Sequence, residues 1–152
     1  MRLWRITREP YQALDEEGAR RNGGRWNSEG VPVVYLSPVL SLAALEYLVH
    51  IDIEDVPDDL VALEVEVPDD ASRETVRLED LPADWNQLDD HPDCAAVGNR
   101  WANAEDALLL EVPSAIIPQE SNLLMNPRHP DGPSAQVLSV TPFFFDRRLL
   151  EE

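Results

Sequence analysis

Residues 23–50, GGRWNSEGVPVVYLSPVLSLAALEYLVH, constrain this chain more than any other stretch. A β-branched apolar run at 33–36 has the length of a buried strand, and it passes directly into a helical pattern. Ser37 and Pro38 read as the helix start, with serine as N-cap and proline at the first helical position. Over residues 38–51 the helical period places Leu42, Leu45 and Val49 on one stripe. Glu46 falls roughly 60° from the centre of that stripe, at about 100° per residue. A carboxylate at the border of a core takes its chemistry from desolvation and from its neighbours. In front of the strand, Gly23 and Gly24 give the backbone the freedom for a tight turn that presents Arg25.

On either side of this block the pattern is strand-rich. Residues 3–7 alternate as a strand, 60–67 as another stopped by Pro68, and 107–112 as a third closed by Pro113. Residues 121–125 and 138–145 supply two more, with a short one at 75–78 and a short apolar piece at 114–118. Residues 11–21 read as a loop or short helix, and 95–104 as a helix with Val97 and Trp101 four apart on one face. The acidic stretches 52–59 and 69–93 read as a connector and a surface excursion. Strands in both halves, few helices and no regular βαβ alternation predict an α+β fold of largely antiparallel sheets. With 152 residues and no dividing linker, a single domain over residues 1–152 is expected.

Composition narrows the function. Acidic side chains number 30 against 12 basic ones, a net charge of −18. Such a field repels nucleic acid and anionic membrane, so neither is an expected partner. No apolar run approaches the ~20 residues of a membrane span, and the N-terminus lacks a signal peptide's apolar region. The lone cysteine, Cys94, excludes an internal disulfide and fits a reducing cytosol, so a cytoplasmic location is expected. His50, His91 and His129 are too scattered for metal-ligand spacing, and no metal is expected. Cys94 lies among acids that raise a thiol pKa, and Ser114 lacks a nucleophile-elbow context. Against the acidic background an anionic ligand needs local guanidinium groups, for which Arg5, Arg20, Arg21 and Arg25 are at hand.

What remains is a set of polar residues at the ends of apolar elements: Arg25, Tyr35, Glu46, Ser114 and Asn122. Each also has a plain structural reading. Arg25 could pair with surface acids, Tyr35 fill a core, Glu46 face solvent or pair with His50, and Ser114 merely follow Pro113 in a turn. Together they carry a resemblance. The 23–50 block, followed by EVPSAIIPQESNLLMNPRHPDGPSAQ, resembles the RES-domain family, named for its arginine, glutamate and serine. Arg25, Tyr35, Glu46 and Ser114 fall at its motif positions, and Asn122 with the Asn126-Pro127-x-His129-Pro130 loop matches its C-terminal signature.

The family comprises toxin halves of RES–Xre toxin–antitoxin operons. The resemblance therefore implies an ADP-ribosyltransferase-like fold, two small antiparallel sheets forming a cleft with flanking helices. It also implies a toxin that consumes NAD⁺, with water, phosphate or a protein target accepting the ADP-ribose, and an Xre-like antitoxin as partner.

Those residue types suit that chemistry. Cleaving the nicotinamide–ribose bond develops oxocarbenium character, which Glu46 can stabilise while accepting hydrogen bonds from ribose hydroxyls. Tyr35 offers a flat face for nicotinamide, and the forked guanidinium of Arg25 fits pyrophosphate oxygens, with Arg5 as a second. Ser114 and Asn122 would orient the ribose or carboxamide, and no step calls for a metal. The rival class is a catalytically silent module that binds partners through its acidic face.

Overall fold

The computed structural model describes residues 1–16, 23–87 and 90–151; Arg20 and Arg21 lie outside them. Two sheets face each other. In the first, β1 (Arg2–Arg8) and β7 (Gln136–Pro142) flank β3 (Leu60–Glu66), all antiparallel. In the second the order is β2 (Val34–Leu36), β6 (Ser121–Met125), β5 (Leu109–Pro113) and β4 (Arg73–Thr75), and only β4 runs parallel to its neighbour. A bridge between Trp4 and Ser37, two backbone hydrogen bonds of 2.7 and 2.8 Å, joins the sheets. Helix α1 (Leu40–Leu48) follows β2, and α2 (Pro92–Ala104) precedes β5. This is the α+β architecture of two mainly antiparallel sheets with flanking helices expected above.

Strand β3 reads as nearly continuous apolar sequence because it is central, with neighbours on both sides and side chains buried on both faces. One face, Val61, Leu63 and Val65, packs with Leu3, Leu36, Leu109, Leu123 and Met125 in the layer between the sheets. The second sheet's other face packs under α2, where Trp26, Trp85, Cys94 and Trp101 meet Leu110, Val112 and Leu124. Phe145 closes a third cluster beneath α1, stacked on Tyr47 and edge-on to Phe143.

Several local expectations shift. Helix α1 begins at Leu40 with Val39 as its cap residue, so Ser37 is not an N-cap. The residue before a proline is pushed into extended geometry, and Ser37 uses that geometry to bridge Trp4. The core stripe of α1 is Leu40, Ala43, Ala44, Tyr47 and Leu48, leaving Leu45 and Val49 exposed. Leu42 is buried, one turn below Glu46. The short strand lies at Arg73–Thr75 rather than 75–78, and α2 starts at Pro92, where the His91 ring accepts from the Asp93 N–H. The last strand ends at Pro142, and beyond it Phe143 and Phe145 plug α1 while Phe144 stays exposed.

Helix α2 stops with Glu105 in the left-handed region, φ 56°. An L side chain is strained there, and its negative charge faces the negative end of the helix dipole. Glu105→Gly should therefore raise stability by about 0.5–1 kcal/mol, measurable as a higher denaturant midpoint at unchanged slope.

Candidate active site

Side chains of paired residues share a sheet face, and residues two apart repeat on it. Tyr35 on β2, Asn122 and Leu124 on β6, and Leu110 and Val112 on β5 thus line one face of the second sheet, with Ser37 and Ser114 just beyond the ends of β2 and β5. Glu46 reaches this face from α1. Its Oε1 accepts from Ser114 Oγ at 2.7 Å and from Asn122 Nδ2 at 2.6 Å. Ser114, fully buried, accepts in turn from the backbone N–H groups of Ile116 and Ile117, which commits its hydroxyl proton to Glu46. Asn122 Oδ1 accepts from Ser37 Oγ at 2.7 Å in a buried contact, fixing the amide so that its NH₂ faces the carboxylate. One oxygen of Glu46 is thus doubly held, and its orientation is set by groups from three strand ends.

Arg25 sits at the apex of a tight turn closed by reciprocal hydrogen bonds between Gly24 and Asn27. Glycine is required at 24 for space: a Cβ there would lie 2.6 Å from the Tyr35 hydroxyl oxygen. That hydroxyl donates to Asn27 Oδ1 and accepts from the Trp26 N–H at 3.1 Å. Burial pushes the phenol well above its ordinary pKa, against the opposing pull of the Trp26 N–H and the Arg25 charge, so Tyr35 stays neutral. Its face, rather than its proton, is what it can offer. Arg25 donates to the Trp85 carbonyl at 2.7 Å, and its guanidinium carbon lies 5.9 Å from the Trp85 ring centroid. Asn86 reaches the Ala115 carbonyl at 3.4 Å, so the acidic excursion touches the Arg25 turn and the Ser114 loop together.

Arg5 stands apart from this group. It shares its face of β1 with Leu3, turned toward the layer between the sheets, whereas Trp4 takes the other face. Its Nη1 is buried without a hydrogen-bond partner among the described residues, and burial lowers its pKa. A buried guanidinium nitrogen without an acceptor is costly and invites an anion.

The structure thus gathers Glu46, Ser114 and Asn122 into direct contact, sets Tyr35 on the same face beside the Arg25 turn, and leaves Arg5 on a neighbouring one. Sequence reasoning missed Ser37 and Trp85. The period-two spacing from Tyr35 could have flagged Ser37, whereas Trp85, 60 residues from Arg25, has no local signal. The Asn126–His129 loop is structural: buried Asn126 donates to the Ala102 carbonyl at the end of α2, and the His129 ring accepts from the Asp131 N–H. Among the described residues, no three His, Cys, Asp or Glu side chains converge as metal ligands. A cavity of about 510 Å³ between α2 and the β4 edge, bordered by Glu74, Arg100 and Asp106, touches none of these site residues.

Cys94 is fully buried, and burial raises its thiol pKa. It should resist maleimide at pH 8 in the native state and label only on unfolding, as read by mass spectrometry.

A sequence model of the RES domain matches residues 2–146. A Toxin Res from Pseudomonas putida is 41% identical, over 98% of this chain and 99% of that one. A Prs ADP-ribosylating toxin from a Sphingobium species is 37% identical, over 99% of this chain and 97% of its own. The fold is similar to a chain in the crystal structure of the M. tuberculosis MbcT–MbcA toxin–antitoxin complex, with a TM-score of 0.74 over 93% of this chain and 83% of that one at 23% identity. On the family match and these full-length likenesses, the chain belongs to the RES domain family.

Proposed function

We propose that this protein is an NAD⁺-cleaving toxin whose reaction centre is Glu46. The observation that carries the reading is the double clamp on one carboxylate oxygen by Ser114 and Asn122. Held that way, the Glu46 carboxylate is positioned for a ribose hydroxyl and for the positive charge that grows at the anomeric carbon. The C1′–N bond breaks, its electron pair leaves on neutral nicotinamide, and an acceptor oxygen forms the new bond to C1′. Tyr35 would present its ring to the nicotinamide, and Arg25 would take the pyrophosphate. Arg5 would add a second cation from the inter-sheet side, its unpartnered Nη1 being an unmet need for an anion.

The name of the Sphingobium relative favours transfer of ADP-ribose to a protein among the three acceptors, and the fold's likeness to a chain of a toxin–antitoxin complex supports an antitoxin partner. The antitoxin would be Xre-like, and the reaction would run on the cytoplasmic NAD⁺ pool. The test is incubation of the purified chain with NAD⁺, with and without phosphate and with lysate, following products by mass. Release of nicotinamide supports the reading; no release and no labelled protein under any condition would reject it.

Ser37 acts through Asn122. Ser37→Ala should lower kcat about tenfold, the ~1.4 kcal/mol of one buried hydrogen bond, with KM for NAD⁺ within about twofold. A loss of thermal stability with kcat intact would leave Ser37 a packing residue only.

A further inference from the structure

The outer edge of the first sheet is open in a way this chain does not show elsewhere in that sheet. Residues 136–145, QVLSVTPFFF, carry no charge in a chain of net −18. Yet Val137, Leu138 and Val140 are 38–43% exposed and Phe144 is 75% exposed. Among the described residues, β7 pairs only with β3. Exposed apolar edges recruit further strands unless something blunts or covers them. Here a register shift opposite Glu64 and Val65 interrupts one end and Pro142 ends the other, so the usable edge is only a few residues long. The Phe143 N–H bonds to Leu60 O, and the alternation of an antiparallel ladder then turns the backbone of Val140 and Pro142 outward.

Val140, Pro142 and Phe144 recur at every second residue and form the apolar side of a groove of about 240 Å³. Its rim holds Glu9, Asp58 and Asp59. Asp59 is already paired with Arg8 at 2.9 Å, whereas no ion pair engages Glu9 or Asp58 among the described residues. A second copy of this chain would bring another −18 and a matching acidic rim, which disfavours edge-to-edge self-pairing.

We propose that this groove is a docking site for a short extended segment of a basic partner protein. The segment adds to the outer edge of β7, lays an apolar side chain over Val140 and Phe144, and sets a lysine or arginine against Glu9 and Asp58. The site lies on the far side of β3 from the β1–β2 junction and includes none of the side chains that hold Glu46.

The test uses the full chain and two peptides of equal length, acetyl-Lys-Val-Thr-Val-Arg-amide and acetyl-Glu-Val-Thr-Val-Glu-amide. The basic peptide should shift backbone amide resonances of β7, weaken with added salt, and bind about tenfold less well to a Glu9→Arg/Asp58→Arg variant, as expected for two rim charges. Val140→Pro, which deletes an outward N–H together with the Val140 side chain, should abolish the same shifts without changing the rim. Equal binding of the acidic peptide, shifts confined to other elements, unchanged affinity in the charge-reversed variant, or β7-mediated self-association of the chain would each overturn the proposal.

Discussion

Glu46→Gln should slow nicotinamide release by at least about a hundredfold, roughly 3 kcal/mol or more of transition-state stabilisation, while the protein stays folded. Glutamine keeps an oxygen that can still accept from Ser114 and Asn122, so the clamp and α1 survive. What disappears is the negative charge, and with it the stabilisation that exists only when ribose becomes cationic. KM for NAD⁺ should change far less than kcat, because the ground-state cofactor is held mainly elsewhere. A variant that turns over within threefold of the native rate would remove Glu46 from the chemistry. Host growth gives a second measure: the native chain expressed alone should arrest cells, and the variant should not.

Gly98→Ala should be the most damaging single methyl group in the molecule. A Cβ at 98 would lie 1.6 Å from the Trp26 carbonyl oxygen and 2.7 Å from its carbonyl carbon. Both are backbone atoms, so no rotamer relieves the clash, and α2 must shift off the Arg25 turn. The cost is about 3–5 kcal/mol, or a Tm lower by ~10–15 °C for a chain of this size. Activity should suffer beyond the unfolded fraction, since Trp26 packs on Trp85, which holds Arg25. A Tm loss below about 2 °C would mean that α2 does not seat on Trp26 as described.

The strands were legible because proline marks their ends and short apolar runs fill them, as in β5 before Ser114 and β3 before Pro68. Tyr35, Glu46, Ser114 and Asn122 were legible because each borders an apolar run. Ser37 was misread because a Ser-Pro pair signals a helix cap, whereas here the chain stays extended for a bridge to Trp4 and the hydroxyl turns to Asn122. The stripe of α1 was rotated because leucines outnumber the alanines that actually face Phe145, and side-chain size says nothing of which side the plug will fill. The role of Trp85 was illegible for a different reason. Its loop has no periodicity, and only tertiary closure brings it to Arg25.

Glu46 rides on a helix packed against the first sheet's aromatic plug, whereas both groups that grip it sit at strand ends of the second sheet. No fragment of the chain that ends before Asn122 contains the whole Glu46–Ser114–Asn122 cluster. On the ribosome, the growing polypeptide cannot clamp Glu46 until Asn122 has emerged and β6 has zipped between β2 and β5. Synthesis up to Asn122 therefore precedes the proposed activity, and that interval is available for an antidote to be waiting.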